Sequence, residues 1–101
     1  MNNLDEARIK INEIDQKLIE LFKQRMELSK EIGLYKYENN LPILDESREE
    51  ILKNKDLKLL NDKALEKYYL MFLEGVLNSS KEYQKDIINE KIRTNRWKAI
   101  T

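Results

Sequence analysis

The chain has 101 residues and a mass of 12.2 kDa, the size of a single domain. Its 19 Lys and Arg balance 19 Asp and Glu, and it has neither His nor Cys, which excludes a thiolate nucleophile, an imidazole base, a Ser-His-Asp triad, an ordinary zinc site and any disulfide. A neutral chain of pI about 6.4 also lacks the basic field of a nucleic-acid binder. No run of about 18 apolar residues occurs, and the start MNNLDEARIK has no signal-peptide core. Neither a membrane nor a nucleic acid is therefore an expected partner, and a cytoplasmic location is expected.

Only two Gly and one Pro interrupt a chain rich in Leu, Ile, Lys and Glu. The expected fold class is all-α, with one long, one short and one long helix in a single domain spanning 1–101. Apolar residues recur with 3,4 spacing at Leu4, Ala7, Ile11, Ile14, Leu18 and Leu21, then at Leu28, Ile32 and Tyr35. This heptad seam predicts a helix over about 4–38, ended by Glu38-Asn39-Asn40-Leu41-Pro42. A second helix is expected over about 46–57, beginning near Asp45 or Glu46, whose carboxylates suit a helix N-terminus. Asn61-Asp62 offers a further cap. A third helix is expected over about 62–92, with a buried face of Leu65, Tyr69, Phe72, Val76 and Tyr83. The tail 93–101 shows no clear period: Trp97 is expected to fold back as a packing anchor, the alternative being a loose tail.

Helix length bears on assembly. A helix of about 34 residues is about 50 Å long at 1.5 Å per residue, whereas a compact globule of this chain length would be about 33 Å across. The first helix overshoots its own domain, and a second copy of the chain is the simplest cover for its seam. A homodimer is expected.

Several polar residues stand where apolar ones are due. Arg25 occupies the seam between Leu21 and Leu28, where a charge is costly unless paired or held for a ligand. Lys36 follows three turns later and about 20° around the helix, so both can face one cavity. The chain uses 14 Lys but only five Arg, of which Arg8, Arg25 and Arg48 are three; Arg is the better residue for bidentate carboxylate recognition. Arg8 and Lys36 lie about 42 Å apart along one helix, so if they share a ligand, Arg8 must come from a partner subunit. Asp45, Arg48 and Glu49 fall on one face of the second helix, a pattern that N-capping with local ion pairs also explains. Ser80 and Gln84 make a polar patch on the third helix. Together these residues describe a small pocket rich in cations and hydrogen-bond donors.

The order R-x6-D-x9-R-x10-K-x8-D-x2-R-E, carried by Arg8, Asp15, Arg25, Lys36, Asp45, Arg48 and Glu49, resembles the all-helical chorismate mutases. So does the S-x3-Q of Ser80 and Gln84, and the two halves match independently over about residues 4–88. The resemblance implies an intertwined homodimer of three-helix subunits and a cofactor-free, metal-free isomerase. Its reaction is the rearrangement of chorismate to prephenate on the route to phenylalanine and tyrosine. It also implies roles. Arg25, and Arg8 from the other subunit, would clamp the carboxylates of the substrate, with Lys36 contributing to one. Lys36 and Gln84 would donate to the breaking ether oxygen, Glu49 would accept from the ring hydroxyl, Asp45 and Arg48 would shape that side, and Ser80 would help hold a carboxylate. Lys36, Gln84, Arg25 and Glu49 are thus the expected catalytic residues. Two other readings compete: an isochorismate-pyruvate lyase on the same fold, and a coiled-coil dimerisation module without catalysis. The complete Asp45, Arg48, Glu49 face favours the mutase, and Arg25 in the seam speaks against a bare coiled coil.

Overall fold

The structure is a computed structural model that describes residues 2–100. Three α-helices carry the chain: α1 (Asn3–Glu38), α2 (Glu46–Leu60) and α3 (Glu66–Ile100), with a single 3₁₀ turn, Lys63–Leu65, leading into α3. No strand occurs among the described residues.

Each boundary has a local cause. Asn2 caps α1, its side-chain oxygen accepting from the Asp5 N–H at 2.8 Å, and Asp5 and Glu6 place negative charge against the helix N-terminus. The helix stops where Asn40 enters the left-handed region at φ 55° and Pro42 follows. Asp45 caps α2 by accepting from the Arg48 N–H at 3.0 Å. Asn61, at φ 47°, ends α2 with its N–H donated to the Leu57 carbonyl. The second helix therefore runs three residues beyond the expected Leu57, because the left-handed stop is Asn61. Asp62 then caps the 3₁₀ turn through the Ala64 N–H at 3.0 Å.

The tail departs most from expectation. Residues 93–100 continue α3 rather than leaving it, since the segment contains neither Gly nor Pro and Arg93 pairs with Glu90 one turn back at 2.7 Å. Trp97 stays on this helix and is 66% exposed, so it is not a folded-back anchor.

The molecule is long and thin, 65 × 32 × 15 Å, with a radius of gyration of 18.3 Å against about 13 Å for a compact chain of this length. α3 packs along the C-terminal part of α1, and α2 lies against α3. The surface that α1 turns toward α3 is not its apolar seam. Ser29 and Gly33 are its buried residues, while Leu21 and Leu28 are 59% and 57% exposed. α3 likewise buries Leu73, Leu77, Ser80 and Gln84, a line rotated from the expected one: Tyr69, Val76 and Tyr83 are half-buried and Leu65 and Phe72 are exposed. Gly33 explains why the helices meet here. A Cβ at that position would stand 3.1–3.3 Å from the Cγ, Cβ and Cα of Gln84, so the missing side chain lets α3 approach α1 closely here. No helix among the described residues is long and apolar enough to cross a membrane.

Candidate active site

A cleft of about 420 Å³ opens where α1, α2 and α3 meet. Each helix contributes through a few neighbouring turns. α1 supplies Arg25, Ser29 and Lys36, which share one face at steps of four and seven residues. α2 supplies Arg48 and Glu49 from its first turn, with Asp45 at the cap. α3 supplies Ser80, Lys81 and Gln84. Seven of the eight residues expected to bind substrate thus line one cleft, although the chain separates them into three segments.

The polar groups are arranged in two clusters. In the first, the Arg25 guanidinium donates to Ser80 Oγ at 2.5 Å, and the Ser29 hydroxyl donates to the same oxygen at 3.0 Å. Ser80 is 6% exposed. With both acceptor sites of its hydroxyl engaged, its own proton remains to be donated. In the second, Lys36 Nζ donates to the Ile43 carbonyl at 2.6 Å and to Gln84 Oε1 at 3.3 Å. The ammonium has three N–H donors and these bonds use two of them. Gln84 is 5% exposed, and because its oxygen faces Lys36, its NH₂ is the end left to donate elsewhere. Four cations and two carboxylates line the cleft, a surplus of positive charge suited to a small dianion.

Asp45 serves both readings that its position allows: it caps α2 and lines the cleft. Arg8 lies apart from the other expected residues. It is exposed on the N-terminal half of α1, and the cleft of its own chain does not include it. Asp15 is exposed as well. Three participants were absent from the expected site: Lys81, Ser29 and the carbonyl of Ile43. Ser29 had a signal, lying four residues after Arg25 and seven before Lys36 on one face. Lys81 had none, as one lysine among 14. A backbone carbonyl carries no side-chain signature at all.

Behind Arg25 lies an apolar hollow of about 510 Å³ walled by Leu18, Phe22, Leu52, Phe72 and Val76, with Asp56 and Tyr69 at its edge. The Tyr69 hydroxyl donates to Asp56 Oδ2 at 2.5 Å. Burial, together with the hydrogen bond and charge of Asp56, pushes the Tyr69 phenol up to about 12, with Arg25 pulling weakly the other way. A phenol whose pKa is raised by folding stabilises the fold fully below the unfolded value of about 10, and that contribution disappears as pH rises through the folded value. Tyr69→Phe is therefore expected to be less stable than the wild type by about 1 kcal/mol at about pH 9, with the difference shrinking toward about pH 11–12. Urea unfolding at the two pH values measures it, and a difference that does not change with pH contradicts the assignment.

Comparison with known proteins bears on the family of the chain. The chain is similar to the chorismate mutase of Methanocaldococcus jannaschii, 28% identical over 97 residues that cover 95% of this chain and 98% of that protein. No solved structure matches it significantly. The sequence profile of chorismate mutase type II matches residues 7–85, a span that holds all three helical contributions to the cleft, and the chain belongs to the type II chorismate mutase family.

Proposed function

We propose that this protein rearranges chorismate to prephenate in two equivalent sites of a homodimer, each completed by Arg8 of the other subunit. The observation that carries the reading is the convergence of Arg25, Lys36, Asp45, Arg48, Glu49, Ser80 and Gln84 on one cleft. The reaction breaks one C–O bond as one C–C bond forms, within a single molecule. It needs no nucleophile and no proton transfer, which suits a cleft without His or Cys. The protein must hold the enolpyruvyl arm over the ring and stabilise negative charge on the ether oxygen.

The cleft divides that work. Arg25, steadied by Ser80, clamps one substrate carboxylate, and Ser80 offers its proton to the same group. The free N–H of Lys36 and the NH₂ of Gln84 converge on the ether oxygen. Glu49 accepts from the ring hydroxyl, with Asp45 and Arg48 closing that side. A rate gain of about 10⁶ requires about 8 kcal/mol. Two preorganised donors worth about 3 kcal/mol each, with conformational restriction, supply it.

The dimer is supported by what one chain leaves uncovered. Among the described residues Leu73 and Leu77 are the buried hydrophobic core, while Leu4, Ile11, Ile14 and Leu18 along α1 are 44–56% exposed. Two buried apolar side chains cannot offset the entropy of ordering a chain of this length. A second copy laid along α1 covers the seam and the hollow behind Arg25, and brings its own Arg8 toward the cleft.

Gly33→Ala tests the placing of Gln84. The helix propensity gained, about 1 kcal/mol, is opposed by a similar overpacking cost, so thermal stability is expected to change little. The helix crossing must open by a few tenths of an ångström, and kcat is expected to fall about tenfold. Unchanged kcat, measured by the disappearance of chorismate, would contradict the role of Gln84.

The functional reading itself is tested by supplying chorismate and isochorismate in parallel and measuring pyruvate release. Turnover of chorismate without pyruvate is expected. Pyruvate released from isochorismate would make the protein a lyase, and no turnover of either would leave it a dimerisation module.

A further inference from the structure

We infer that Lys81 is a positioning residue of this cleft: it holds the Glu49 carboxylate in place and offsets its charge, so that a dianionic substrate can bind beside it. The inference rests on the reading of Glu49 as the acceptor of the ring hydroxyl.

Lys81 follows Ser80 and precedes Gln84 by three residues, so the helical turn that presents both buried polar groups also presents this ammonium. Its Nζ lies 3.0 Å from Glu49 Oε2, and the two side chains are 29% and 21% exposed. The ion pairs Glu20–Lys23 and Glu90–Arg93, by contrast, each lie within one turn of one helix, with side chains 61–78% exposed. The Lys81–Glu49 pair instead joins α3 to α2 and is far more shielded from solvent, where a charge pair is screened least. It also forms a partition. The same two residues line the cleft on one side and, on the other, a groove bordered by Lys53, Lys67, Glu74 and Asn78.

Two consequences follow for a ligand. Lys81 occupies Oε2 and leaves Oε1 to accept, which fixes the direction from which a hydroxyl must approach. Glu49 is also one of two carboxylates in a cleft that must admit two more. Asp45 is offset by the α2 N-terminus that it caps, and Lys81 does the same for Glu49. Without it, an unpaired carboxylate would repel the substrate.

The test is steady-state kinetics on chorismate with the full-length wild type, Lys81→Met, Lys81→Gln, Lys81→Arg, Glu49→Gln and the Lys81→Met/Glu49→Gln double variant. Because Glu49 binds the ring hydroxyl in ground state and transition state alike, the loss belongs in KM. Lys81→Met and Lys81→Gln are each expected to raise KM about tenfold while kcat stays within about threefold. Lys81→Arg keeps the charge and is expected to stay within about threefold of wild type in KM. In the Glu49→Gln background, Lys81→Met is expected to add less than about twofold, because a neutral amide has no charge to offset. An unchanged KM in Lys81→Met together with a lowered melting temperature makes the pair a structural strut and overturns the inference. A tenfold KM effect that persists beside Glu49→Gln makes Lys81 a direct ligand and overturns it as well. A wild type that does not turn over chorismate overturns the functional reading and this inference with it, whereas an active wild type confines any failure to Lys81.

Discussion

Lys36→Ala is expected to lower kcat about 10³-fold while the helical content and the dimer persist. Two losses combine in this one substitution. The first is the ammonium itself, which in the proposed mechanism presents a charged donor where the ether oxygen gains negative charge; removal of a single preorganised donor of this kind costs about 10²–10³ in rate. The second is the hold on Gln84, whose amide oxygen accepts from Lys36 at 3.3 Å and whose NH₂ is thereby aimed. The fold should tolerate the change. Lys36 lies in the last turn of α1, and its remaining tie, to the Ile43 carbonyl at 2.6 Å, fixes only the connection between α1 and α2. A kcat within tenfold of wild type would remove Lys36 from the reacting centre.

Mixing two inactive variants should restore activity. Arg8→Ala is expected to lose about 10²-fold or more in kcat/KM, through loss of a bidentate carboxylate contact. With the sites shared as proposed, a hybrid of Arg8→Ala and Lys36→Ala chains has one cleft that combines an intact Lys36 from the first chain with an intact Arg8 from the second, and another that lacks both. Random exchange makes half the dimers hybrids, so recovery should approach about a quarter of the wild-type activity. The geometry behind this is severe. Arg8 and Lys36 stand about 42 Å apart on one straight helix, and no side chain spans that distance. Recovery measured after exchange, with hybrid formation confirmed by differently tagged chains, supports the shared site. Exchange without any recovery would rule it out.

The elements were legible in the sequence for reasons that differ along the chain. The heptad seam and the Asn39-Asn40-Leu41-Pro42 stop fixed α1, and Asp45 and Asp62 act as caps because a short carboxylate reaches back to a free N–H. The packing faces were less legible. Leu21 and Leu28 mark a surface that needs cover, and one chain provides none for it; what α1 gives α3 is Ser29 and Gly33, small residues that a search for apolar periodicity passes over. The expected face of α3 was displaced for the same reason: Phe72 carries the larger apolar side chain, yet Leu73 and Leu77 point toward α1. The tail read as aperiodic because residues 93–100 have few apolar residues to show a period, not because anything there breaks a helix. Of the cleft, the residues were legible as an ordered set of charges across three segments. The bonds between them, Arg25 to Ser80 and Lys36 to Gln84 among them, depend on the helix crossing, and the pairing of Lys81 with Glu49 had no sequence signal at all.

A cleft that is rich in cations and has neither thiol nor imidazole suits the proposed rearrangement, and the product decides it. Proton NMR of chorismate incubated with the wild-type protein in catalytic amount tests this most directly. The chorismate signals are expected to give way to those of prephenate as the one product, at a rate that Lys36→Ala reduces about 10³-fold. Chorismate that persists unchanged, or is converted to anything other than prephenate, would contradict it.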